Sequence, residues 1–479
     1  MQGLKHIHLI GICGTAMASL AGMLQAQGHK VTGSDAAAYP PMSDLLVSLG
    51  IPISEPYAEK NLQPNPDLVV VGNAISRGNV ELEYVMEHRL PFISMAALIH
   101  DEFLRGRDSL VVAGTHGKTT TTSMLAWIFE VASRRRPELS PSFLIGGVAE
   151  NFGTSFRVRG TKPFILEGDE YDTAFFDKGP KFLHYFPQAA ILTHVEFDHA
   201  DIYADLASVK TAFKRFVNLV PRNGVVVAFD GSANVTECVA RAFCRVERYG
   251  LAESSHWRVT NLRHEDEGSR WSLLRGGEPF AELYLPMAGE HNALNATAAA
   301  ALAATQGIDA ASIVEALASF RSVKRRLEVI AETRGVTIID DFAHHPTAIR
   351  ETLRALRAKY PSRRLIAVLE PRSNTLRRNV FEKELVDSLA LADSVILASV
   401  FKSESIPVEE RLHPESVVAG LKSAGKPAEL LPDVDAIVAK IVKEMQPGDV
   451  VAILSNGGFG GIYEKLPAAI DAAAGALSL

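Results

Sequence analysis

Gly114-Thr115-His116-Gly117-Lys118-Thr119-Thr120 follows an apolar run at 110–113 and precedes a helical segment at 123–131. Glycines in such a turn let backbone N–H groups point inward around phosphate oxygens, and the helix N-terminus adds partial positive charge. Lys118 is then placed to reach the β- and γ-phosphates of a nucleoside triphosphate, with the Thr119 hydroxyl on Mg²⁺. The general phosphate loop has four residues between its first glycine and the Gly-Lys pair; here only Thr115 and His116 intervene. The bland alternative is an ordinary glycine turn with a solvated lysine. Strand, turn, Lys-Thr pair and helix together argue against it.

Two charged clusters also sit where strands end. Glu167-Gly168-Asp169-Glu170-Tyr171-Asp172 holds four carboxylates in six residues after the run at 164–166. Like charges so close repel unless a cation or solvent relieves them, and Mg²⁺ favours hard oxygen ligands. Glu196-Phe197-Asp198-His199 follows the run at 190–195. His199 alone is weak support for Mg²⁺, because histidine is a borderline ligand for it. A solvated acidic loop and a core histidine are the plain alternatives.

Further along, Asn292 and Asn295 open an Ala-rich helix and share a face, so two amides can read an adenine edge. Helix capping is their ordinary role. Arg325-Arg326 and Asp340-Asp341 precede His344 and His345. The two histidines can contact phosphate or accept a proton, and the residues alone leave those roles open. Near the N-terminus, Gly11-Ile12-Cys13-Gly14-Thr15-Ala16-Met17 resembles a dinucleotide turn without its full glycine spacing. Ser34-Asp35 closes the following strand, where Asp35 can bind a ribose hydroxyl. A nicotinamide-dependent oxidoreductase is therefore a rival from another class, as is a nucleotide-driven switch. The second glycine loop at Gly114, which demands a triphosphate, disfavours the first.

These residues need a scaffold of strands ending at loops. Short β-branched runs at 6–10, 68–71, 110–113, 190–195, 225–229, 336–339, 365–369, 395–400 and 450–454 alternate with helical lengths. That alternation predicts α/β architecture with parallel sheets and helices on both faces. A chain of 479 residues is too long for one core. Three domains are expected: 1–106 Rossmann-like, 107–322 a central P-loop mononucleotide-binding α/β unit, and 323–479 a C-terminal Rossmann-like α/β unit. The stretch 256–282 is expected to hold a hairpin, and an Ala-rich terminal helix is expected after Pro467. The 49 basic and 56 acidic residues give a net charge of -7, which argues against nucleic acid or anionic membrane as partner. Three cysteines without paired spacing, no signal-peptide pattern and no long apolar run point to a cytoplasmic protein without a membrane span.

The block 113–122, with its shortened phosphate loop, resembles the ATP loop of the Mur ligase family, and the resemblance extends over essentially the whole chain. It implies an ATP-dependent ligase that joins an acid to an amine through an acyl phosphate. It assigns Lys118, Glu170 and His199 to catalysis, with Thr119, Glu170 and His199 on Mg²⁺. Gly114, Thr115, His116, Gly117, Lys118, Thr119, Thr120, Asn292, Asn295, Arg326, Asp341 and His345 would bind ATP. In the family members that act first on a UDP-linked sugar acid, the first domain holds UDP. Gly11, Cys13, Gly14, Thr15, Met17, Ser34, Asp35, Asn73, Ala74 and Arg77 match there. Many relatives also carry a carbamylated lysine near the second ion, and none is placed here.

Within the family the chain resembles most the branch that joins a recycled tripeptide, L-alanyl-γ-D-glutamyl-meso-diaminopimelate, to UDP-N-acetylmuramate. The branch that adds L-alanine to the same acceptor is the alternative. The distinguishing stretches are Tyr39-Pro40-Pro41-Met42-Ser43, residues 72–79, Phe176-Asp177-Lys178, residues 370–375 and residues 455–461. Arg372, Ser373, Asn374, Ser455 and Asn456 would grip the peptide, since an arginine binds a carboxylate bidentately. A monomer is favoured.

Overall fold

The computed structural model describes residues 3–38, 42–265 and 267–473. Tyr39, Pro40 and Pro41 thus lie outside the described residues, as does the chain after 473. The apolar runs form three large sheets. The first is five-stranded and parallel, in the spatial order Ile53–Ser54, Lys30–Ser34, His6–Ile10, Leu68–Val71, Phe92–Ser94. The second has ten strands, with Asp108–Ala113 lying between Ala189–Leu192 and Pro163–Gly168. The third has six, with Val450–Leu454 between Val336–Asp341 and Leu365–Leu369.

The sheets are not wholly parallel. The stretch expected to hold a hairpin forms three antiparallel strands, Trp257–Glu265, Gly268–Arg275 and Glu278–Leu285, which extend the central sheet. Gly276 and Gly277 make the last turn with φ of 60° and 91°, the backbone that a two-residue hairpin requires. Glu328–Thr333 likewise runs antiparallel to Val336–Asp341. Connections this short cannot return a strand in the parallel sense.

Two helices depart from expectation. The helix after the phosphate loop begins at once, as Lys118–Ser133, rather than at 123. The terminal helix is Ile462–Ala472 and carries Pro467 inside it rather than ahead of it. Ile462, Leu466 and Ile470 are fully buried at four-residue spacing, and burial of that face offsets the hydrogen bond that proline removes. Among the described residues no helix is long and apolar enough to cross a membrane.

Register places the site. Ala113 is level with Gly168 on one side and with Leu192 on the other. The phosphate loop, the acidic cluster and the loop to His199 therefore leave adjacent parallel strands at one edge, where α/β sheets bind ligands. In the third sheet Leu454 is level with both Asp341 and Leu369. In the first, Ile10 is level with Ser34 and Val71.

The cores divide unevenly. One apolar cluster runs from Ile7 and Leu24 through Phe103 to Phe164 and Phe213, so the first two sheets share packing. The third sheet has clusters of its own on its two faces. Gly22 marks the shared packing: a Cβ there would lie 2.2 Å from the Phe156 ring, while Ser19 and Ser155 meet at 2.8 Å beside it. Leucine favours a helix by roughly 1 kcal/mol over glycine, yet Gly22→Leu must displace that ring. It is expected to lower stability by about 1–3 kcal/mol, read as an earlier urea midpoint. Unchanged or higher stability would show that the helix Thr15–Ala26, which carries Gly22, and the strand Thr154–Arg157 are not closely seated.

Candidate active site

The phosphate loop is held from the neighbouring strand end. Thr193 donates from Oγ1 to the His116 carbonyl at 2.5 Å, and the Thr115 N–H donates to the His194 carbonyl at 2.9 Å. Gly117 has φ 77°, and a Cβ there would lie 2.6 Å from Asn295 Oδ1. Both facts require glycine. No side chain caps the helix that follows, so its first N–H groups are available to an anion.

Lys118 reaches across to the acidic cluster, with Nζ 3.0 and 2.7 Å from the two carboxylate oxygens of Glu170. Glu170 is 1% exposed, and His199 Nε2 lies 3.4 Å from its Oε1. Burial lowers the pKa of Lys118, but Glu170, Asp169 and Glu167 outweigh that effect and raise it above the ordinary value. Burial likewise opposes ionisation of Glu170, and Lys118 and His199 overcome it and lower its pKa. His199 is pushed up to about 9: burial works against the charge, and Glu170, Asp198 and Asp169 prevail. The repulsion expected among these carboxylates is thus relieved by side chains, with Lys181 on Asp169 and Lys178 on Asp172, each at 2.7 Å. Ligand atoms of Asp169, Glu170 and His199 lie within 4.8 Å of one another. Asp169 was not among the expected ligands; its neighbour Glu170 and the cluster itself were the signal. Thr119 lies outside that trio and receives Arg326 Nη2 at 3.5 Å.

A cavity of about 480 Å³ opens beside the loop, lined by His116, Gly117, Thr120, Asn292, Asn295 and Arg326, among others. His194 Nδ1 and His291 Nδ1 are buried nearby without hydrogen-bond partners. Asn292 gives one N–H to the Ala288 carbonyl at 2.8 Å. Asp341 lines the cavity too, although its carboxylate is occupied by the Leu327 and Ala343 N–H groups and by Thr352. Of the expected nucleotide residues, Gly114, Thr115, Lys118 and Thr119 lie in or beside the loop rather than in the cavity wall. His345 joins the neighbouring loop instead: Nε2 is 3.1 Å from the Phe197 carbonyl and Nδ1 3.6 Å from Glu196. Glu196 also takes His116 at 3.0 Å and the Thr347 hydroxyl at 2.7 Å. It is held down to about 2, because those partners outweigh its burial.

A second cavity, about 470 Å³, has His199 in its wall, with Tyr171, His344, Arg372, Asn374 and Lys402 among others. Asn456 Oδ1 and Arg377 Nε are buried without partners. Arg372 stacks 3.8 Å over Phe401. Ser373 lines the cavity and Ser455 does not: it is fully buried and donates to Glu370 at 2.5 Å. It sits at the strand end, where the turn of the chain points it inward. Arg377, Phe401, Lys402 and Ser405 enter this wall without having been anticipated. Only the fold brings residues 401–405 beside 372–377.

In the first sheet the Cys13 N–H donates to Asp35 Oδ2 at 2.8 Å, which ties the glycine turn to the acid expected to bind ribose. Gly14 and Thr15 are exposed beside Gly11, while Cys13 and Met17 face the core. Ser34 is buried, with its hydroxyl on Glu81. Ala74 is exposed, Arg77 pairs with Glu83 at 2.9 Å, and Asn73 donates to Asp172 Oδ1 at 2.6 Å. That last bond joins the first domain's loop to the acidic cluster.

The chain is similar to known proteins along its length. Three family models match in order: the Mur ligase family catalytic domain over residues 6–105, the Mur ligase middle domain over 112–303, and the Mur ligase glutamate ligase domain over 325–457. The UDP-N-acetylmuramate–L-alanyl-γ-D-glutamyl-meso-2,6-diaminoheptandioate ligase of Escherichia coli K12 is 43% identical over 461 residues, 96% of this chain and 97% of its own. Its Haemophilus influenzae counterpart is 41% identical, over 97% and 98%. Among solved structures, a murein peptide ligase from Psychrobacter arcticus 273-4 aligns with a TM-score of 0.73 at 36% identity, covering 97% and 98% of the two chains. The UDP-N-acetylmuramate–alanine ligase of Thermotoga maritima aligns at 0.80 and 24%, over 98% and 99%, a likeness of fold alone. With a shortened phosphate loop, an acidic strand end and a distal histidine at one sheet edge, and three matched domains around them, this chain belongs to the Mur ligase family.

Proposed function

We propose that this protein is an ATP-dependent ligase that joins L-alanyl-γ-D-glutamyl-meso-diaminopimelate to UDP-N-acetylmuramate. One observation carries the reading. Glu170 links the two cavities: it bonds Lys118, the residue after Gly117 in the wall of the first, and it pairs with His199 in the wall of the second. ATP takes the first cavity and the peptide the second, so the acyl phosphate forms between them. The muramyl carboxylate attacks the γ-phosphate, ADP is released, and the peptide amine then displaces phosphate.

In this reading residues 1–106 bind the UDP-sugar, 107–322 bind ATP, and 323–479 bind the peptide and close on the nucleotide. Lys118 offsets charge on the transferring phosphoryl group. Asp169, Glu170 and His199 fit a divalent cation, since their ligand atoms converge within 4.8 Å and two of the three are carboxylates. When bound there, with Thr119 nearby, Mg²⁺ supplies charge that screens the repulsion between nucleotide and substrate carboxylate. Arg372, Arg377 and Lys402 offer three cations to the peptide's carboxylates. A wall of that size and charge exceeds what L-alanine needs, which favours the tripeptide over the single amino acid.

The test is phosphate release from ATP with UDP-N-acetylmuramate and Mg²⁺, with tripeptide or with L-alanine, and mass detection of product. Ligation of tripeptide only is expected. Ligation of L-alanine only would make this the biosynthetic alanine ligase.

A further inference from the structure

Two adjacent histidines follow the strand Val336–Asp341, and their hydrogen bonds set opposite tautomers. At His345 the Thr347 N–H donates to Nδ1 at 3.3 Å, so Nε2 carries the proton and gives it to the Phe197 carbonyl at 3.1 Å. Both nitrogens are occupied. At His344, Nδ1 lies 2.9 Å from the Phe342 carbonyl oxygen. A carbonyl only accepts, so Nδ1 holds the proton and Nε2 keeps a bare lone pair. Nε2 has no hydrogen-bond partner among the described residues. The residue is partly exposed and lines the second cavity.

Most other groups there that could accept a proton are engaged. The His199 ring faces Glu170. Asp198 Oδ1 receives the His199 backbone N–H at 2.7 Å and the Thr375 hydroxyl at 2.6 Å. Tyr171 is bound to Asp201, which also takes Asn374 at 2.7 Å. Arg372, Arg377 and Lys402 are cations. Around His344 itself, burial is the main influence and keeps the ring neutral; Asp198 opposes it, and Arg326 and His199 add to it.

We propose that His344 is the general base that takes a proton from the α-ammonium of the incoming peptide. The inference rests on the ligase reading above. Nε2 accepts one proton, and the freed nitrogen lone pair attacks the acyl carbon. The C–N bond forms as the C–O bond to phosphate breaks, and phosphate departs with the electron pair. The second proton on nitrogen passes to the departing phosphate, and the imidazolium returns its own to solvent. The Phe342 carbonyl holds Nδ1–H throughout and steadies the imidazolium, the part an orienting group plays beside a catalytic base.

The experiment compares the unsubstituted protein with His344→Gln and His345→Gln, given ATP, Mg²⁺ and UDP-N-acetylmuramate. Each receives either tripeptide or hydroxylamine, which is already unprotonated near neutral pH and traps the acyl phosphate as a hydroxamate without a base. His344→Gln is expected to lose about 10²–10⁴-fold in kcat with tripeptide. Its tripeptide KM and its hydroxamate yield should stay within a few-fold. His345→Gln, which breaks a contact between loops, is expected to lower both products together. Tripeptide turnover near normal in His344→Gln, or a parallel loss of hydroxamate, overturns the assignment. So does a loss confined to tripeptide in His345→Gln. No product of either kind from the unsubstituted protein would overturn the ligase reading itself.

Discussion

Lys118→Met is expected to reduce ATP turnover by about 10³-fold or more, with phosphate release as the readout. The ammonium sits 2.7 Å from Glu170 with 13% of its side chain exposed, so the substitution removes the one lysine that the loop presents to the acidic cluster. It also leaves a buried carboxylate facing His199 alone, and the Glu170 pKa moves back up as its largest favourable partner is lost. Methionine keeps the length and the apolar stem, so the helix Lys118–Ser133 should still form. Lys118→Arg is expected to rescue little, because a planar guanidinium does not fill the place of a compact ammonium. Turnover within tenfold of normal in Lys118→Met would remove this loop from phosphoryl transfer.

Glu170→Gln is expected to have a comparable effect on turnover and a larger one on stability. The carboxylate is almost completely buried between Lys118 and His199. Removing one member of a buried ion pair costs about 3–5 kcal/mol, because the partner charges stay behind; Asp169 can recover part of that. The pH dependence gives a second readout. The folded-state pKa of Glu170 lies below its ordinary value, so its contribution is full above an unfolded-state pKa of about 4.3. It is lost as pH falls through the folded-state value. The gap in unfolding free energy between the two proteins should therefore be widest at neutral pH and narrow in acid. Half-saturation by Mg²⁺ should also rise sharply. A gap that is constant with pH would mean that the carboxylate is not ionised in the fold.

Much of this site was legible along the chain because its parts are local. A strand, a glycine turn and a helix N-terminus are contiguous, so Gly114 to Thr120 announce a phosphate loop before any fold is known. The acidic run at Glu167 to Asp172 and the histidine at 199 stand at strand ends for the same reason. The three-strand meander at 257–285 was less legible, since alternating polarity cannot count how many turns divide it. The helix at Ile462–Ala472 was misplaced because proline is read as a breaker when the apolar face that outweighs it is not yet visible.

By itself, then, the sequence determined the class of chemistry and the family to which the chain belongs, because those rest on short-range patterns. The tertiary structure alone decided which side chains stay open to a ligand. Ser34 and Ser455 looked like binding residues, yet they hydrogen-bond inward to Glu81 and Glu370. Arg377 and Lys402 carried no local signal and still line the second cavity. His344 and His345 are neighbours of one residue type, but one is held between Thr347 and Phe197 while the other keeps a free nitrogen. The physical reason is competition: each polar group takes the partner that the packed chain brings within reach, and strand register over distances of many residues sets which partners those are.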